Sequence, residues 1–223
     1  MTDNVVVIAA HPDDEVLGCG GTIIKHVESG DSVSVIILAD GEASRGKKEQ
    51  KRDARHEELK MAAKILGVSN VSYMNYPDQK MDIIPFLDIV QSIEKALEKL
   101  SPTIIYTHHG GDLNLDHKIT YRAVMTACRP LPDSKIKGIY SFEVVSSTEW
   151  GLSTESQFRP TKACDITVQL DKKIEALKCY KRELREFPHP RSIEGVIGLA
   201  KTRGMQFGLD AAEVFIVERT FWR

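Results

Sequence analysis

Residues 4–15 read NVVVIAAHPDDE: a polar residue, six apolar ones, then a histidine, a proline and three carboxylates in succession. The apolar run is rich in β-branched residues and has no polar interruption, which is the pattern of a strand buried on both faces, as in a parallel sheet. The acidic run after it is costly, because adjacent carboxylates repel one another and lose solvation when their loop is buried. A positive charge among His11, Asp13, Asp14 and Glu15 would make the cluster tolerable. Pro12 fixes its own φ and biases His11 toward an extended backbone, so the loop is stiff.

Outward from this stretch, strand and helix patterns alternate. A helix is expected from about Gly20 to Ser29, then a second apolar strand, SVSVIILAD (32–40), and after a polar loop the helical spacing of KRDARHEELKMAAKILG (51–67), ending on a glycine. VSNVSYMNY (68–76) reads as a third strand, IIPFLDIVQSIEKALEKL (83–100) as a long helix halted by Ser101-Pro102, TIIYT (103–107) as a fourth strand and DHKITYRAVMTAC (116–128) as the next helix. IKGIYSFEVV (136–145) and CDITVQL (164–170) read as further strands, and DKKIEALKCYKREL (171–184) and SIEGVIGLAKTRG (192–204) as helices, the last capped by Ser192. With no repeat and no long linker, the expectation is one α/β domain over residues 1–223: a doubly wound, mostly parallel sheet flanked by helices, with extra C-terminal strands and helices.

In such a sheet the loops after successive parallel strands emerge at one carboxyl edge, where open α/β folds bind ligands. HPDDE, DGEASR, NYPDQK and THHGGDLNLDH should therefore meet in space. Two histidines and a carboxylate are a common ligand set for a catalytic zinc that keeps an open position for water. His11 and Asp14 can supply two ligands from one stiff loop, and His117, in the first turn of its helix, a third. Asp13 is then left beside the water, whose pKa falls to about 7 on bound zinc, and can take its proton as general base. Glu15 would bond backbone or a ligand histidine. A surface turn with acidic residues at a helix start is the bland alternative for HPDDE; the second motif at a converging loop argues against it.

At these residues the chain resembles the PIG-L/LmbE family of zinc-dependent de-N-acetylases, whose signature Ala-His-Pro-Asp-Asp-Glu reads here from Ala10 to Glu15. The likeness extends to GGTI after the motif, DGE after the second strand, and the late PRSIEG and AEVF. It implies a Rossmann-like sheet, zinc on His11, Asp14 and His117, Asp13 as base, and hydrolysis of an N-acetyl or related acyl group from an amino sugar or sugar conjugate. The chain departs from the family at one place. Many members carry His-Pro-Asp-His before the last ligand, whereas this sequence has Asn114-Leu115-Asp116-His117. An asparagine can donate to an oxyanion but is no general acid, so that role passes to protonated Asp13 or to a nearby histidine.

Substrate contacts are expected from Arg45 on the loop after the second strand, from Asn114 and Asp116, from His109, and from His189 and Arg191 in the proline-bounded FPHPRS. Of His108 and His109 at most one faces the site, since neighbouring strand residues point oppositely; His109 is preferred. Asp112 is read as tying the Gly110-Gly111 loop together, Trp150 as packing or stacking on a sugar, and His26 and His56 as lying away from the edge. Two rivals use the same residues: a non-haem iron oxygenase built on two histidines and a carboxylate, and a sugar-binding relative without catalysis. The oxygenase has no use for the spare Asp13.

Composition excludes other classes. The 223 residues are 42% hydrophobic with a formal net charge of −2, which gives no basic footprint for nucleic acid and no polybasic membrane patch. The N-terminal apolar run is too short for a signal peptide or a membrane span. Cys19, Cys128, Cys164 and Cys179 form no CxxC pair and are expected as reduced thiols of a cytoplasmic protein. The expected cofactor is Zn2+, with other divalent transition metals fitting the same set. The expected partner is an N-acylated sugar-type small molecule, and homo-oligomers are compatible with the sequence.

Overall fold

The computed structural model describes residues 2–40 and 50–222; Arg45 and most of the DGEASR loop lie outside them. Five parallel strands form the main body of one sheet: β1 (Asn4–Ala9), β2 (Ser32–Ala39), β3 (Asn70–Tyr76), β4 (Ile104–His108) and β5 (Gly138–Phe142). β6 (Lys162–Asp165) and β7 (Ala212–Thr220) complete it in the order β3-β2-β1-β4-β5-β7-β6. β7 runs antiparallel to both of its neighbours.

β1 shows why the apolar runs are continuous. Val5, Val7 and Ala9 face one core, built with α1 (Asp14–Glu28) and α2 (Gln50–Leu66), while Val6 and Ile8 face a second, built with α3 (Phe86–Leu100) and α4 (Leu115–Ala127). Both sides of the strand are dry, so no position can be polar. The helices bury one stripe each: Leu59, Ala62 and Leu66 on α2, Ile89, Val90, Ile93 and Leu97 on α3, the 3.6-residue spacing expected of amphipathic helices. α3 ends where Ser101 turns left-handed (φ 45°) ahead of Pro102. α5 (Leu170–Leu177) and α6 (Ile193–Gln206) pack on the α1 side, and Ser192 caps α6 by accepting from the Gly195 N–H at 2.9 Å.

Strand order reverses between β1 and β4. The chain leaves β1 toward β2 and leaves β4 toward β5, on opposite sides, opening a crevice at the carboxyl edge between them. His11 follows β1 and His117 follows β4, so the two motifs flank this switch point.

Four elements differ from the sequence expectation. α1 starts at Asp14, inside the acidic motif, rather than near Gly20, and is broken at Cys19 (φ −149°). Gly18 and Gly21 are packing positions, not breakers: a Cβ on Gly21 would lie 2.7 Å from Ile166. β6 covers Lys162–Asp165 only, and ITVQL, expected as strand, turns into α5, which stops at Leu177. β7 is a strand that the sequence patterning does not announce.

Candidate metal centre

The first turn of α1 is built around an unusual backbone. Asp13 has φ 113° and ψ −28°, a left-handed conformation that costs a non-glycine residue roughly 1–3 kcal/mol. Its carbonyl accepts from Val16 and Leu17 at 3.1 and 2.9 Å and so starts the helix. Three side chains hold it there. Glu15 accepts the Asp13 N–H at 3.0 Å, Tyr180 donates its hydroxyl to Glu15, and Arg191 places a guanidinium NH group 2.8 Å from Asp13 Oδ2. Burial pushes the Asp13 carboxyl up, to about 6, against the lowering influence of Arg191. Glu15, also buried, is raised to about 7 despite its bonds to Tyr180 and the backbone.

His11, Asp14 and His117 converge in the crevice. His11 Nδ1 lies 3.3 Å from His117 Nε2 and 3.4 Å from Asp14 Oδ2, and His117 Nε2 lies 3.3 Å from the same oxygen. These near-equal separations match the edges of a tetrahedron whose centre is about 2.0–2.1 Å from each donor, the bond length of zinc with nitrogen or carboxylate ligands. The three residues are all buried and form a group whose donor atoms lie close enough together to share one ion. The residues therefore fit a metal ion.

Both imidazoles have carboxylates on their far side. His11 Nε2 is 3.1 Å from Asp116 Oδ2 and 3.2 Å from Asp78 Oδ1, and His117 Nδ1 is 3.2 Å from Asp112 Oδ1. This is the carboxylate–histidine arrangement that fixes a ligand tautomer. The orienting carboxylates are themselves held: Asp116 accepts the Gln79 and Met81 N–H groups at 2.8 and 3.2 Å, and Asp112 accepts the hydroxyls of Ser147 and Thr148. Burial disfavours a charged imidazole, yet hydrogen bonding to Asp116 and Asp14 carries His11 up to about 10; Asp14 and Asp112 carry His117 up to about 9 against the same penalty. The cavity is thus electrostatically prepared for positive charge at its centre. Protons held by the two rings must leave when an ion takes their place.

Several expected substrate contacts fall elsewhere. Asp116 is buried and fully engaged with His11 and two backbone amides, so it is an orienting group and does not face solvent. Asn114 caps α4, its side-chain oxygen accepting from the Asp116 N–H at 2.9 Å. His109 turns away to the Ser156 carbonyl at 2.7 Å and packs on Phe158. His108 is the one that faces the cluster: stacked on His117 at 4.0 Å, with its Nε2 accepting from the Ala10 N–H at 2.8 Å. That bond occupies its lone pair, and burial drops its pKa to about 3, leaving a neutral packing ring. Arg191 reaches Asp13, while His189 lies beside it, its Nδ1 accepting the Arg191 N–H at 3.0 Å. Asp78 is a site residue that sequence reasoning misses; its position in a strand-end loop is the only signal.

Residues 6–128 match the PIG-L family, described as GlcNAc-PI de-N-acetylase. An uncharacterised deacetylase, YaiS of Escherichia coli K12, is 29% identical over 185 residues, 79% of this chain and 90% of that protein. A probable N-acetyl-alpha-D-glucosaminyl L-malate deacetylase 2 of Bacillus anthracis is 25% identical over 79% of this chain and 80% of its own length. The crystal structure of GalB, the 4-carboxy-2-hydroxymuconate hydratase of Pseudomonas putida KT2440, superposes with a TM-score of 0.79 at 25% identity, covering 100% of this chain and 98% of that one. An α/β fold with a buried His/Asp group able to hold a metal ion is what these relatives' class of enzyme leads one to look for. The chain belongs to the PIG-L family of N-deacetylases. No helix among the described residues is long and apolar enough to cross a membrane.

Proposed function

We propose that the chain is a zinc-dependent hydrolase that removes an N-acetyl group from an amino sugar or sugar conjugate, with His11, Asp14 and His117 as ligands and Asp13 as general base. The observation that carries this reading is the tetrahedral spacing of the three donors with a second carboxylate, Asp13, that is no part of the triad. Zinc held by them would supply a Lewis acid for the attacking water and the amide carbonyl. Asp13 accepts the proton of the water. Arg191 engages its Oδ2 at 2.8 Å, which leaves the other oxygen as the acceptor and keeps the carboxylate from swinging into the ligand set. Protonated Asp13 then delivers that proton to the departing amine, the part that Asn114, bound into its helix cap, does not play. Support for an N-acetylated sugar comes from the Bacillus anthracis relative's name and the family's description.

The hydratase neighbour favours a second reading, addition of water across the double bond of an unsaturated acid. It needs the same base and differs in the electrophile, so primary-amine release from N-acetylglucosamine conjugates, set against loss of the conjugated acid's ultraviolet absorbance, separates the two. The residue roles are tested by Asp13→Ala and Asp14→Ala on parallel preparations. Asp13→Ala should keep its zinc and lose about 10²–10⁴ in rate, the usual contribution of positioned proton transfer; Asp14→Ala should lose zinc and activity together. Zinc lost from Asp13→Ala and kept by Asp14→Ala would reverse the two roles.

A further inference from the structure

The loop after β5 ends in a short 3-10 turn, Thr148–Trp150, whose placement the water chemistry does not require. It is mounted with unusual rigidity. The Thr148 hydroxyl and that of Ser147 both bond Asp112, the carboxylate beside His117. Val144 donates its N–H to Thr148 Oγ1 at 2.8 Å, and Glu149 accepts the N–H groups of Ser146 and Ser147 at 2.6 and 3.1 Å. The next residue, Gly151, lies against the Gly111 carbonyl so closely that a Cβ there would stand 2.5 Å from the oxygen. These bonds hold the backbone on either side of Trp150, which remains 49% exposed.

The indole's neighbour comes from the loop before α6. His189 meets Trp150 edge to face, with ring centroids 6.2 Å apart at 84°. His189 stands two residues before Arg191, whose guanidinium is on Asp13, and Arg191 also donates from Nε to Ser146 Oγ at 2.8 Å, tying the two loops together. The aromatic pair therefore joins the loop whose hydroxyls bond Asp112, the carboxylate near His117, to the loop whose Arg191 bonds Asp13. Because His189 Nδ1 accepts the Arg191 N–H, its neutral ring carries hydrogen on Nε2, a fixed donor. A half-exposed indole beside an imidazole N–H donor offers the chemistry that recognises a pyranose: C–H groups against the aromatic ring and a hydroxyl on the donor.

We infer that Trp150 and His189 form a sugar-stacking subsite at the rim of the metal centre, receiving the ring whose acetamide enters the crevice. The inference deepens the deacetylase reading and rests on it, but its first test needs no turnover. The chain has two tryptophans, and Trp222 is fully exposed, so Trp222→Phe leaves Trp150 as the sole indole. Titrating zinc-loaded Trp222→Phe with glucosamine should change its fluorescence saturably, whereas the same titration of Trp150→Phe should give no change. In kinetics, Trp150→Ala should raise KM for N-acetylglucosamine about tenfold with kcat and zinc content held, while Trp150→Phe retains most of the affinity. A Trp222→Phe protein whose fluorescence ignores glucosamine would overturn the subsite, and so would an unchanged KM in Trp150→Ala. A protein that binds glucosamine through Trp150 yet releases no amine from any acetylated sugar would keep the subsite and refute the deacetylase reading instead.

Discussion

Glu213 and Lys173 form a buried ion pair at 2.7 Å, both side chains 4% exposed, and we expect it to be a main support of the motif helix. Glu213 on β7 accepts the N–H groups of Gly21 and Thr22 at 2.9 and 2.7 Å and the Thr22 hydroxyl at 2.6 Å. Those amides begin the second half of α1 after its break at Cys19, so Glu213 caps a helix start from another element. Lys173 on α5 donates to the Leu17 carbonyl at 2.9 Å, on the other side of the break. The pair thus satisfies both ends of an interrupted helix whose first residue is Asp14. Glu213→Gln keeps an acceptor for the amides but leaves the Lys173 ammonium buried without its counter-charge, a loss of about 3–5 kcal/mol. For a chain of this size that is a drop of roughly 6–20 °C in Tm. Lys173→Met added to Glu213→Gln removes the bare charge and should recover most of the loss, since a well-packed neutral replacement of a buried pair is often close to neutral. The assay is urea unfolding of chelator-treated protein, so that metal binding does not contribute, with m compared across variants. Equal stability of the single and double variants, or a single variant within about 1 kcal/mol of the parent, would refute the coupling.

Two more outcomes are expected at the centre and its packing. Asp112→Asn and Asp116→Asn should each bind zinc about 10–100-fold more weakly in a competitive chelator titration, because each loosens the far side of a ligand imidazole. Gly21→Ala puts a methyl 2.7 Å from Ile166 and 2.8 Å from its Cβ, atoms near the β6 end that have little room to give; denaturant unfolding should show a cost of about 1–3 kcal/mol.

The parallel half of the fold is legible because its strands are apolar on both faces and its helices carry one stripe each, patterns that no other local structure imitates. The convergence of HPDDE and NLDH comes from topology alone: both lie after parallel strands, so both must reach one edge. What escapes the sequence has physical reasons. AEVFIVERT carries Glu213, Glu218 and Arg219, charges that disguise β7, yet Glu213 turns inward to cap α1 and Glu218 accepts from Tyr121 and Ser141 at 2.9 and 2.7 Å. The glycines of α1 look like breakers in one dimension and act as packing surfaces in three. Strand parity says that one of His108 and His109 faces the centre but not which, since that depends on the register of β4 against β1. Asp116 reads as a substrate group because sequence shows a carboxylate beside a ligand, not the direction in which it points.

The placement of β7 also orders the events of folding. Every residue offered as a ligand lies within the first 117, but the carboxylate that secures the broken helix beneath them arrives 192 positions after the amide it receives. Contacts of such sequence separation close late and slowly. During synthesis the helix that carries Asp14 therefore lacks this cap until β7 emerges and takes its place between β5 and β6. A fragment that stops before Glu213 would contain His11, Asp14 and His117 and lack the carboxylate that caps the second half of α1, so the support of the site is a property of the completed sheet rather than of the motifs.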